Sequence, residues 1–139
     1  LANLPPAERE LWREVVARRH ELDPTPQSRL ALARAHAAAG DRDRLEELLG
    51  PLWPDRLTPP ERALLLNTDR EAGQLDRALA LASGEVPVSA DDAAAVVPAV
   101  VALMDHGRLD EARALLARGR DAAPTERALD ELASRLGGR

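Results

Sequence analysis

The stretch GRLDEARALL, residues 107–116, has two near-echoes in the same chain: GQLDRALALA at 73–82 and GDRDRLEELL at 40–49. Gly40, Gly73 and Gly107 stand 33 and 34 residues apart, and each is followed three positions later by an aspartate, Asp43, Asp76 or Asp110. A fixed period in this range marks an architecture in which one supersecondary unit is copied and stacked. Upstream of each glycine, apolar residues recur at helical spacing: Leu30, Ala33 and Ala37; Leu64, Leu65 and Thr68; Val96, Val100 and Leu103. Downstream lies a second such pattern: Leu45, Leu48 and Leu49; Leu75, Ala78, Leu79 and Ala82; Leu109, Ala112, Leu115 and Leu116. Two helix-period runs interrupted by a glycine, three times over, predict three helical hairpins with the glycine at each turn.

The punctuation between the runs agrees. Thr58-Pro59-Pro60-Glu61 places an N-cap, a proline where its missing N–H costs nothing, and a glutamate in capping-box position. Ser89 with Asp92 does the same for the next unit, and Thr125 is a candidate cap for a last helix striped by Leu129, Leu132, Ala133 and Leu136. Gly50-Pro51 and the Gly84 to Pro87 stretch end helices. The N-terminal PPAERELWREVVARRHELDP, residues 5–24, reads as one helix of about 17 residues bracketed by prolines. The expectation is an all-α chain of about eight helices forming a single domain over 1–139: a leading helix at 7–24, units at 26–50, 58–84 and 89–121, and a terminal helix at 125–136.

The 139-residue length allows a sizeable core, but its material is narrow: no Phe or Tyr, one Met, two Trp, and a 45% hydrophobic content that is almost all Ala, Leu and Val. Small and branched aliphatics suit closely packed helices. Arginine supplies every basic side chain beside three histidines, a bias that points to high-GC bacterial coding. A net charge of -5 without a basic run argues against nucleic acid as a partner. The absence of cysteine removes disulfides and thiolate metal sites and leaves the compartment open between cytoplasm and periplasm. The longest apolar run, AAAVVPAVVALM at 93–104, is too short for a bilayer span and carries Pro98, which predicts a kinked core helix. The chain opens on LANLPP, without an initiator Met or signal peptide, which suggests part of a longer protein.

These residues resemble the tetratricopeptide repeat family, whose 34-residue unit is a pair of antiparallel helices. Gly107, Leu109, Ala112 and Pro124 match the family's turn, large, small and terminal proline positions, and Gly73, Leu75 and Ala78 match the first three. In the segment 21–41, Leu32 and Ala33 stand as the family's large and small pair, with His36 where an aromatic is usual. The pattern is divergent: Arg42 and Leu45 replace the large and small residues of the first unit, Leu66 and Val100 are bulky at small positions, and Asp69 takes the aromatic position. The resemblance covers residues 7–136. It implies a right-handed α-solenoid in which the first helix of each hairpin lines a concave groove. Counting from the turn glycines assigns Arg34 to that lining in the first unit, Leu64, Asn67 and Arg70 in the second, and Val97, Val101, Met104 and Asp105 in the third. Asn67 matches one residue of the carboxylate clamp of chaperone-binding members, whereas Ala63 stands where the clamp needs a lysine. Such arrays in high-GC bacteria often belong to larger proteins, including envelope and exopolysaccharide-export machinery.

Catalytic chemistry has little to stand on. His20, His36 and His106 lack metal-ligand spacing, and no nucleophile elbow or phosphate-cradling loop is present. Asp91-Asp92 and Glu46-Glu47 are adjacent pairs expected on exposed turns. His36 is expected to be a partly buried, satisfied ring and His106 to meet the last carbonyls of its helix. Trp53, between units, is expected to plug the hairpin ends. The sequence therefore predicts a scaffold without enzyme activity, cofactor or metal, binding a protein or peptide partner in the groove. A structural spacer or self-associating module, and a regulatory helical domain of a larger enzyme, are the alternatives.

Overall fold

The computed structural model describes residues 5–137, and every regular element among them is helical. Eight α-helices follow one another: α1 Pro6–Leu22, α2 Pro26–Ala38, α3 Arg42–Leu49, α4 Pro59–Ala72, α5 Asp76–Ser83, α6 Ala93–Asp105, α7 Leu109–Ala122 and α8 Arg127–Gly137. Short 3-10 turns occupy Gly50–Leu52 and Ala90–Asp92. None of these helices is long and apolar enough to cross a membrane.

The three echoed glycines make one turn three times. Gly40, Gly73 and Gly107 have φ of 70°, 72° and 72°, the left-handed conformation that L side chains resist. Each glycine N–H donates three residues back, to the carbonyls of Ala37, Arg70 and Met104. The following N–H of Asp41, Gln74 and Arg108 then donates five back, to His36, Asp69 and Leu103, at 2.9, 2.8 and 2.8 Å. This pair of bonds is the Schellman closure, which satisfies carbonyls that a helix end would otherwise leave orphaned. It ends α2, α4 and α6 in the same way and starts the next helix after it.

Burial keeps the same register. Four residues before each glycine lie His36, Asp69 and Leu103, and seven before lie Ala33, Leu66 and Val100; all six are buried. Five residues after stand Leu45, Ala78 and Ala112, and nine after stand Leu49, Ala82 and Leu116, again all buried. The repeat is thus a repeat of packing positions, while the volume placed at each one varies. On α4 the buried line runs through Leu65, Leu66 and Asp69, whereas Leu64 and Thr68, which belong with Leu65 to the helical pattern of the sequence, are only half-buried. Asp69 tolerates this inward position with Arg77 Nη1 on both of its carboxylate oxygens.

Contacts divide the chain into two compact units, one up to Leu65 and one from Leu66 onward. In the first, α1 packs along α2, and Val16, Leu32 and Ala35 form a core joined by Ala17, Ala31 and Leu48. In the second, α7 packs against α5, α6 and α8. Helix α6 runs through Pro98 without interruption and buries Ala95, Val96, Pro98, Ala99, Val100, Ala102 and Leu103. Gly119 on α7 brings helices close: a Cβ built there would lie 2.9 Å from Val96 Cγ1 and 3.4 Å from Leu129 Cδ1.

The caps show two differences from the sequence reading. Thr125 does not cap α8; it follows Pro124 inside a turn closed by the Glu126 N–H on the Ala123 carbonyl, and the helix begins only at Arg127. Proline favours the second position of such a turn, so the chain reverses before it coils. Asp92, expected on an exposed turn, is 2% exposed. Its Oδ2 accepts from the Ser89 N–H at 2.9 Å and hydroxyl at 3.1 Å, so the capping box itself draws the carboxylate inward.

Candidate binding face

Three buried or half-buried polar knots hold the hairpins and limit which side chains remain for a partner. In the first unit, Glu61 is fully buried on α4 and accepts both Nε and Nη2 of Arg29 from α2. It also takes the Thr58 N–H and hydroxyl, each at 2.9 Å. Burial alone would push this carboxyl up, but the Arg29 and Thr58 hydrogen bonds together outweigh it and hold Glu61 below the usual glutamate range. In the same unit, Arg13 Nη1 donates to Asp41 Oδ2 at 2.8 Å and lies 3.4 Å from His36 Nδ1. Because a guanidinium only donates, His36 Nδ1 must accept. Burial first, and the Arg13 charge second, lower the His36 pKa and favour the neutral ring. The Arg44 amide and Arg13 hold the Asp41 carboxyl below its ordinary range. In the second unit, Arg77 Nη1 meets Asp69 Oδ1 and Oδ2 at 2.8 and 3.0 Å.

His36, Asp69 and Leu103 therefore occupy one repeat position with three chemistries, the two polar ones each facing an arginine from another helix. The expected role of His106 is also seen, its Nδ1 lying 3.0 Å from the Ala102 carbonyl at the end of α6. His20 Nδ1 sits 2.6 Å from Ser28 Oγ. Trp53 is half-buried, between the Gly50–Leu52 turn and α4. Among the described residues no three His, Asp or Glu side chains gather as metal ligands.

The residues assigned to the groove divide between the units. Arg34 on α2 is exposed and Leu64 on α4 is half-buried, both in the first unit. In the second unit, Asn67 and Arg70 are exposed on α4, and Asp105 is exposed at the end of α6. Val97, Val101 and Met104 are half-buried on α6, at spacings of four and three that keep them on one helical face, with exposed Ala94 continuing it. The rest of that helix is almost wholly buried, so this strip is what α6 offers to solvent. A line of two valines and a methionine ending on Asp105 can take an apolar ridge of a partner, with the flexible thioether adapting to its shape.

Nothing in the sequence pattern marks the groove between α5 and α7. Helices α5 and α7 leave an open groove of about 570 Å³, floored by Leu79, Ala80 and Ala82 and rimmed by Asp76, Glu85 and Asp110. Arg108 and Glu111 close part of that rim on each other, with Nη2 to Oε1 at 2.5 Å, and this hydrogen bond holds the Glu111 carboxyl below its ordinary range. The carboxylates come from two different repeats, so no local motif announces them.

No protein-family model, curated protein or solved structure matches this chain significantly.

Proposed function

We propose that this chain is a divergent TPR-like α-solenoid that acts as a non-catalytic scaffold, holding a protein or peptide partner on the first helices of its hairpins. The observation that carries the reading is the α6 strip. An otherwise buried helix keeps Val97, Val101 and Met104 partly open along one face, beside exposed Asp105. The threefold Schellman turn and the common burial register support the repeat architecture on which the reading rests. On the same reading Arg34 and Leu64 in the first unit, and Asn67 and Arg70 in the second, are further partner contacts. The half-exposed apolar side chains supply affinity and the charged ones orientation.

Selection of a displayed peptide library on the wild-type chain tests this. Peptides so enriched should lose about tenfold or more in affinity on Val97→Glu with Val101→Glu, which corresponds to about 1.4 kcal/mol or more. The double variant should keep its helical circular dichroism, because neither valine is fully buried. Peptides that bind the variant as tightly as the wild type would remove α6 from the binding face.

A further inference from the structure

The first unit carries an apolar face directed away from its own core. Helix α1 packs toward α2 through Val16 and Ala17. Leu11, Trp12, Val15 and Leu22 stay 61%, 44%, 50% and 72% exposed, and they are the large hydrophobics left exposed among the described residues. They do not scatter. Leu11, Val15 and Leu22 recur at spacings of four and seven, with Trp12 alongside, so they form one stripe along a 17-residue helix. A contiguous stripe of this kind, crowned by a tryptophan, marks an interaction surface.

Charge decides what covers it. The same stripe begins with Glu8 and, beyond Val15, passes Arg19, both exposed, while the neighbouring Arg18 pairs with Glu21 of its own helix at 3.8 Å. One end of the face is acidic and the other basic, so the face is complementary to itself when reversed. We propose that two copies of the chain pair through α1, antiparallel about a two-fold axis that crosses between residues 13 and 14. Residues 8 and 19 share their midpoint with residues 12 and 15, so one register satisfies both sets. Glu8 meets the partner's Arg19, and Trp12 meets the partner's Val15, each contact occurring twice by symmetry. The same register lays Leu22 over the partner's Pro5 at the start of its helix. A parallel pair would set Glu8 against Glu8 and the arginines against each other, which like-charge repulsion opposes. This contact is separate from the α6 strip, and either can fail without the other.

Sedimentation equilibrium of the whole chain over about 5 to 500 µM is the test. The wild type should show a reversible, concentration-dependent dimer. Leu11→Glu with Val15→Glu should be monomeric throughout with unchanged circular dichroism, because both side chains are at least half exposed. Glu8→Arg and Arg19→Glu should each weaken dimerisation about tenfold, since each replaces two attractions by two repulsions. Mixing those two single variants should restore association, because one then carries only basic and the other only acidic end residues. A wild type that stays monomeric, a dimer that survives Leu11→Glu with Val15→Glu, or a mixture no tighter than its components would each overturn the proposal.

Discussion

Arg29 grips Glu61 from 32 residues away in the chain, with Nε 2.5 Å from Oε2 and Nη2 2.9 Å from Oε1. The carboxylate has no exposure of its own, and the arginine keeps 21%. Removing one partner of a buried pair leaves an uncompensated charge, a loss of about 3–5 kcal/mol. The two Thr58 donors soften it here. Arg29→Ala is expected to cost about 2–3 kcal/mol, read as a lowered urea midpoint at unchanged slope. Arg108→Ala, which breaks only the exposed pair with Glu111, should cost less than about 0.5 kcal/mol in the same assay. Equal midpoints for the two variants would remove the Arg29–Glu61 pair as a fastening of the first unit.

Acid should loosen the molecule in two stages. His36 is held below its ordinary value of 6.5, by burial first and then by Arg13. The unfolded chain therefore binds that proton before the folded one does. The stability it contributes is complete above about pH 6.5 and is lost as pH falls through the folded pKa. Glu61 lies below its ordinary value of 4.5, with the Arg29 and Thr58 bonds outweighing burial, so its contribution is complete above about pH 4.5 and fades below that. The melting temperature should be level from about pH 8 to 7, decline once below pH 6.5 and decline again below pH 4.5. His36→Gln should flatten the first decline and leave the second; an unchanged profile would show that His36 does not drive the upper stage.

How much of this was legible in the chain depends on how local each signal is. The hairpins were readable because a left-handed turn and a helix start need particular residues at fixed offsets, as Gly107 and Asp110 show. His106 was readable for the same reason, since it answers to a carbonyl of its own helix, whereas the burial of His36 was readable from its helical stripe but its Arg13 partner on α1 was not. The Arg29–Glu61 bond joins residues of different repeats, and no spacing rule pairs them. Asp69, which stands in the sequence at the family's aromatic position, is buried with Arg77 from the next helix on its carboxylate, a pairing that no local spacing announces. The α6 strip followed from counting back from Gly107, whereas the α5–α7 groove needed two repeats brought side by side. The apolar residues of α1 were visible, but which of them α2 would cover was not.

The turn glycines should show what conformation alone is worth. A Cβ at Gly40 or Gly107 would meet nothing within 4 Å, so substitution there adds no clash. The positive φ remains, at 70° and 72°. Gly40→Ala and Gly107→Ala should each cost about 1–2 kcal/mol, the strain of one left-handed L residue. Gly107→Asn should cost less, because asparagine tolerates this region better. Thermal or urea unfolding reads the order directly. Alanine variants as stable as the wild type would mean that the turns reform without left-handed geometry.

Gly119 should behave in the opposite way, because there space and not φ is limiting. A new Cβ stands 2.9 Å from Val96 Cγ1, and both Val96 and Leu129 are fully buried. Alanine gains roughly 1 kcal/mol of helix propensity over glycine, which offsets part of an overpacking cost of about 1–3 kcal/mol. Gly119→Ala should therefore be neutral to mildly destabilising, and Gly119→Val, with two further methyls against the same wall, should lose about 2–3 kcal/mol. The clash itself is isolated by a double-mutant cycle with Val96→Ala. Removing the Val96 methyls should relieve Gly119→Val by about 1 kcal/mol or more beyond additivity, as expected for residues in contact. Strict additivity in that cycle would place the two side chains out of reach of each other and undo the close approach of α6 and α7.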